Sequence, residues 1–181
     1  MTGPIIAGIL GLIYFFYPTE YDRLMGEALK VQRENSSIVE FDGFKEPPMP
    51  DRSENNKTML GVDSDNNGIR DDIDIWINRT GKSYNERMAL RQLAISELQS
   101  LLICKNENWK DTSFICQKIA DAESCLLRIS KDGYELRNKM TELLKNNSTR
   151  KKCNNFYQKA SCSSTLFVKD GEKKCLFELQ K

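Results

Sequence analysis

Six cysteines, Cys104, Cys116, Cys125, Cys153, Cys162 and Cys175, all fall in the second half of the chain, and no two of them form a CxxC pair. This distribution restricts the fold more than any other feature. Zinc sites bring their ligands in close pairs, and thioredoxin-like chemistry needs a CxxC, so three disulfides are the better expectation. They point to an oxidising compartment. Which of the fifteen pairings is used stays open. Cys116 and Cys125 are nine positions apart, as are Cys153 and Cys162. Nine residues of continuous helix turn by about 900° and rise about 13 Å. Neither pair can close on itself within an unbroken helix, so each cysteine should staple its helix to a different neighbour.

The pattern around the cysteines is helical. Ser83 with Glu86 reads as a capping box at the start of the strongest core helix. Tyr84, Met88, Ile95, Leu98 and Leu102 recur at helical spacing there, widened by Leu90, Leu93, Leu101 and Cys104 and interrupted by Arg91. A third helix capped by Asp111 should run to about Ile129 on Phe114, Ile115, Ile119, Leu126 and Leu127. A fourth, complicated at its start by Gly133, carries Tyr134, Leu136, Met140, Leu143 and Leu144. A fifth is expected over residues 149 to 161, and Asp170-Gly171 marks a hairpin. Further upstream, Thr19 should cap a helix over 19–34 with Leu24, Ala28 and Val31 on one face. The predicted fold is mainly α. It comprises an export segment or membrane anchor at 1–18, a helix at 19–34, a linker at 35–60 laid out through Phe41 and Phe44, a loop and helix at 61–80, and a disulfide-linked helical domain at 81–181.

The stretch "GVDSDNNGIRDDIDIWI", residues 61 to 77, crowds carboxylates around one glycine. With Asp63 as position one, Asp65 is three, Asn67 five, Gly68 six, Ile69 seven, Asp71 nine and Asp74 twelve. A hard cation such as calcium takes six to eight oxygens in a flexible shell, with glycine where the chain turns sharply. Helix-capping charge accounts for Asp71, Asp72 and Asp74. It leaves Asp63, Asp65 and Asn67 unexplained, because like charges around a tight turn repel unless a cation balances them. The stretch resembles the calcium loops of thrombospondin type 3 repeats, dockerin repeats and related EF-hand-like modules, over residues 63–74 alone. The resemblance implies calcium held by Asp63, Asp65, Asn67, the Ile69 carbonyl, Asp71 and Asp74. The sequence departs from a regular EF-hand in three places. Position twelve is Asp instead of Glu, Arg70 stands where an apolar residue normally follows position seven, and residues 51–62 do not read as an entering helix.

The chain has no histidine, which removes the commonest general base and transition-metal ligand. No Ser lies in a GxSxG or SxxK arrangement. Glu97, Glu123, Glu135 and Glu142 are expected on helix surfaces, so no enzyme activity is expected and a hydrolase ranks last. Residues 1–80 carry 8 Lys/Arg against 14 Asp/Glu and residues 81–181 carry 19 against 12. The basic half suits another protein with an acidic surface, and no nucleic-acid motif is present. The apolar run at 3–18 is read as an export segment that also offers membrane association. Localisation is accordingly expected in a periplasm or outside the cell, with anchoring where that segment is retained. The functional expectation is an exported protein-interaction protein with structural calcium. Its alternatives are a non-catalytic structural envelope protein, or an inhibitor or immunity-type protein that binds an enzyme.

Overall fold

The computed structural model describes residues 19–34, 40–106, 113–153 and 175–180. Helix α1 (Glu20–Glu34) begins as the sequence implies. The Thr19 hydroxyl accepts the Asp22 N–H at 3.2 Å, and Asp22 accepts from the Thr19 N–H at 3.0 Å and its hydroxyl at 2.6 Å. Leu24, Met25 and Ala28 form its buried face. Residues 35–60, read as a linker, contain regular structure. β1 (Glu40–Phe41) and β2 (Phe44–Lys45) pair antiparallel, Phe41 opposite Phe44. Asp42 and Gly43 both have positive φ, 57° and 83°, as a two-residue I′ hairpin turn requires. α2 (Arg52–Lys57) follows, capped by Asp51, whose carboxylate accepts the Ser53 and Glu54 N–H groups at 2.8 and 3.1 Å.

α3 (Asp71–Thr80) is enclosed. Ile73, Ile75, Trp76 and Ile77 are each at most 1% exposed, so its apolar residues do not form a single docking side. α1, α4 (Tyr84–Asn106) and α6 (Gly133–Leu144) pack around it. Gly81 ends α3 with φ −68°. Its requirement is space, because a Cβ would run into the Arg87 side chain. α4 opens with Ser83 accepting the Glu86 N–H at 3.2 Å. Its core face is Ala89, Leu90, Leu93, Ala94, Leu98 and Leu101. The expected line is displaced: Leu102 is 37% exposed, and Met88 and Ile95 are half-buried. α5 (Ser113–Ile129) and α6 pack on α4 and on one another. A Cβ at Gly133 would press on the Leu126 carbonyl at 3.0 Å and the Leu127 Cα at 3.1 Å, so glycine permits the tight turn between them. Phe114, Leu127 and Tyr134, expected to pack, are exposed. Glu97, expected on the surface, is 3% exposed. The interior narrows the usable stripe of each helix to the residues facing two neighbours, which sequence spacing alone does not specify.

Residues 148–153 are helical, and the Cys153 sulfur lies 3.8 Å from the Leu101 carbonyl oxygen. Cys125 is bonded to Cys175, which ties α5 to the C-terminal segment, and Cys116 and Cys153 are also disulfide-bonded. That segment lies along α4. Leu176 donates its N–H to Gln92, Phe177 meets Tyr84 edge-on at 6.5 Å, and Asn85 both donates to and accepts from the Gln180 backbone at 2.8 Å. The expected cap at Asp111, the 170–171 hairpin, Cys162 and the apolar segment at 1–18 lie outside the described residues. No helix among the described residues is long and apolar enough to cross a membrane, which corrects the membrane-anchoring part of the expected localisation.

A buried ion pair joins the N-terminal elements. The Arg70 Nε lies 2.5 Å from Asp72 Oδ1, both side chains being fully buried. Asp72 also accepts from the Tyr21 hydroxyl at 2.7 Å and Asn55 Nδ2 at 2.9 Å, and Arg70 Nη2 donates to the Leu143 carbonyl at 2.8 Å. Arg150 is likewise buried. It donates to the carbonyls of Asn55 and Thr58, which α2 leaves without partners at its C-terminal end, and to that of Met59 just beyond. Burial, and then Arg70, lower its pKa to about 10, so it stays charged at neutral pH.

Asp72→Ala leaves Arg70 as a buried charge without its counter-ion and should cost about 3–5 kcal/mol in urea unfolding. Gly26, by contrast, lies inside α1 with nothing within 4 Å of an added Cβ. Gly26→Ala should therefore raise stability by about 0.5–1 kcal/mol, read from the same unfolding curves.

Candidate metal site

The acidic loop runs from α2 to α3 and is fixed at both ends. Asn55, buried on α2, accepts the Val62 N–H at 3.0 Å while its Nδ2 donates to Asp72. Gly61 has φ 80°, and a Cβ there would run into Asn55 Oδ1 and the Arg70 side chain. Past the loop, Asp71 donates its N–H back to the Val62 carbonyl at 2.8 Å. Two residues with positive φ, Asn66 at 57° and Gly68 at 85°, turn the chain between these anchors. Glycine occupies that second position without strain.

The turn is organised by carboxylates accepting backbone N–H groups. Asp63 accepts from Asn67 at 3.1 Å and Gly68 at 2.9 Å, Asp65 from Asn67 at 3.2 Å, and Asp71 from Ser64 at 2.9 Å. Asp63, Asp65 and Asp71 each place a carboxylate oxygen within 4.8 Å of the other two. Asp71 is 1% exposed, and its Oδ2 is buried without a hydrogen-bond partner among the described residues. Burial raises the Asp71 pKa most. The Ser64 hydrogen bonds oppose this, and the like charges of Asp63 and Asp65 add to it. A cation among the three carboxylates would supply the missing partner for that oxygen and relieve the repulsion.

The remaining sequence candidates are placed differently. Asn67 Nδ2 donates to Asp65 and Asp74, each at 3.0 Å, and its Oδ1 accepts the Ile69 N–H at 2.8 Å. Ile69 buries its side chain in the core. Asp74 is outside the three-carboxylate group and fully buried, with Oδ1 3.3 Å from Arg91 Nε. Burial raises its pKa, with Arg91 and Asn67 opposing. Asp72, one residue away, belongs to the structural ion pair and not to the loop cluster. Arg70, which broke the EF-hand pattern, is accounted for by that pair. Residues 51–62 did not read as an entering helix, yet α2 stands there. The Asp51, Glu54 spacing is the D-x-x-E form of a capping signal and could have located it.

No protein-family model, curated protein or solved structure matches the chain.

The cluster of three carboxylates suits a hard cation, for which carboxylate oxygens are the preferred donors. The loop's shape rests on Gly68. Gly68→Ala forces an L side chain into a left-handed conformation and should cost about 1–2 kcal/mol in thermal unfolding.

Proposed function

We propose that this protein is a calcium-binding module in which the ion is structural, and that its basic half binds another protein. The observation that carries the calcium reading is the meeting of Asp63, Asp65 and Asp71 within 4.8 Å, one of their oxygens being buried and unpartnered. Calcium accepts irregular oxygen shells, whereas magnesium demands stricter geometry and dehydrates reluctantly. An ion here would clamp the exit of α2 to the start of α3, adding stability to the folded form by linkage. Asn67, the Ile69 carbonyl and Asp74 complete the proposed ligand set, Asp74 turning from Arg91 toward the ion. Because α3 is enclosed by α1, α4 and α6, the clamp would act on the centre of the bundle.

The protein-binding reading rests on the surface around the α5–α6 turn. Leu127 and Tyr134 are 52% and 70% exposed, with Arg128 and Lys131 exposed beside them in sequence. Apolar side chains set among cations suit a partner with an acidic rim and an apolar centre. Catalysis is not part of the proposal, since the loop carboxylates are committed to the ion and the other acids are mostly paired on helix surfaces, as Glu123 is with Arg137 and Glu135 with Lys139.

Calorimetric titration of the chelated, oxidised chain with calcium tests the metal reading. One saturable site with a Kd of about 10⁻⁴–10⁻³ M is expected, the range of extracellular-type modules. It should come with a rise in melting temperature, and both should vanish in Asp63→Asn/Asp65→Asn. Absence of heat and of any melting shift at roughly ten times that concentration would overturn the proposal.

A further inference from the structure

Glu97 lies in the middle of α4, inside the bundle, at 3% exposure. Its Oε2 is buried without a hydrogen-bond partner among the described residues. An ionised carboxylate in such a place is costly unless donors or a counter-ion meet it. The groups facing it do not supply one. Glu123 on α5 carries the same charge. Arg137 on α6 carries the opposite charge but already donates from Nε to Glu123 Oε1 at 2.8 Å. Lys145, just past α6, is the other cation that acts on Glu97, and no ion pair joins the two among the described residues. From α5, Lys118 donates to Gln99 at 3.3 Å. From α3, Asp74 turns to Arg91, well over a helical turn away. Residues 148–153 meet α4 through Cys153 and leave Lys151 and Lys152 exposed.

We propose that Glu97 is a proton-binding group built into the α4–α5–α6 seam, which holds the bundle together more firmly while protonated and less firmly once ionised. Neutral, the side chain is a carboxylic acid of ordinary size in a helix interface. Ionised, it becomes a second negative charge beside Glu123 with no donor of its own at Oε2. Burial, and then Glu123, raise its pKa from 4.5 to about 7, with Arg137 and Lys145 opposing, so the change falls near neutrality. The folded-state value lies above the unfolded one. The stability contributed by the proton is therefore complete below 4.5 and is lost as pH rises through 7. The acidic loop plays no part in this proposal, which stands whether or not calcium binds.

The test is urea unfolding of the full, oxidised chain at fixed calcium from about pH 5 to about pH 8, with Glu97→Gln beside it. Glutamine keeps the volume and cannot ionise. Relative to Glu97→Gln, the wild-type unfolding constant should rise by up to about tenfold per pH unit and level off above neutrality. Parallel pH profiles for the two proteins would overturn the proposal. Side-chain carboxyl ¹³C NMR of the wild type provides an independent readout where the variant fails to fold. A carboxyl titrating near 7 is expected, and titration of every glutamate below about pH 5 would overturn it equally.

Discussion

The Arg70–Asp72 ion pair is the constraint on which the rest of the described structure depends. Both charges are fully buried, and two charges withdrawn from water repay their desolvation only when their remaining donors and lone pairs are met. Here the partners come from almost every neighbouring element, Arg70 Nη1 being left without one among the described residues. Tyr21 reaches in from α1, Asn55 from α2 and the Leu143 carbonyl from α6, while the pair itself straddles the start of α3. These directional bonds fix where α3 begins and how it is rotated. Apolar packing alone would not, because Ile73, Ile75, Trp76 and Ile77 are buried on every side of that helix.

The loop inherits its shape from this arrangement. Asn55 joins Asp72 with one side-chain atom and the Val62 N–H with the other, so the entry to the loop and the buried pair share a residue. Asp71 adjoins Asp72 and is consequently buried, whereas Asp65 is exposed and Asp63 half-buried. The cluster is therefore one-sided, with a desolvated oxygen on the protein side and solvated ones opposite. That polarity leaves the solvent side of an irregular, calcium-type oxygen shell to be completed by water.

Much of this was legible in the sequence, and the misses have physical causes. The caps at Thr19 and Ser83, the helical character and the register of Asp63, Asp65 and Asp71 follow from local chemistry that a neighbour cannot easily override. The hairpin at Asp42-Gly43 carries the same Asp-Gly signal noticed at 170–171, but its flanking runs are too short to read as strands. Arg91 read as an interruption of an apolar face. In the fold it donates to Asn78 and faces Asp74 and Asp42, so its burial depends on acids from α3 and the hairpin. Glu97 read as a surface acid because nothing local reveals that α5 and α6 both close over that turn. Positions whose environment is made by distant elements are the ones that spacing cannot assign.

Arg150 imposes an order of events. Its guanidinium satisfies carbonyls at the end of α2 from 91 to 95 residues away in the chain, and Arg70 reaches across 73 residues to Leu143. Helices form locally and fast, but these closures must wait for both ends to exist. During synthesis the N-terminal half therefore leaves the ribosome with the base of its acidic loop unfinished. Its carbonyls stay with water until the residues near 150 arrive. A molecule that looks like two halves in composition is, in assembly, a single unit completed from its far end.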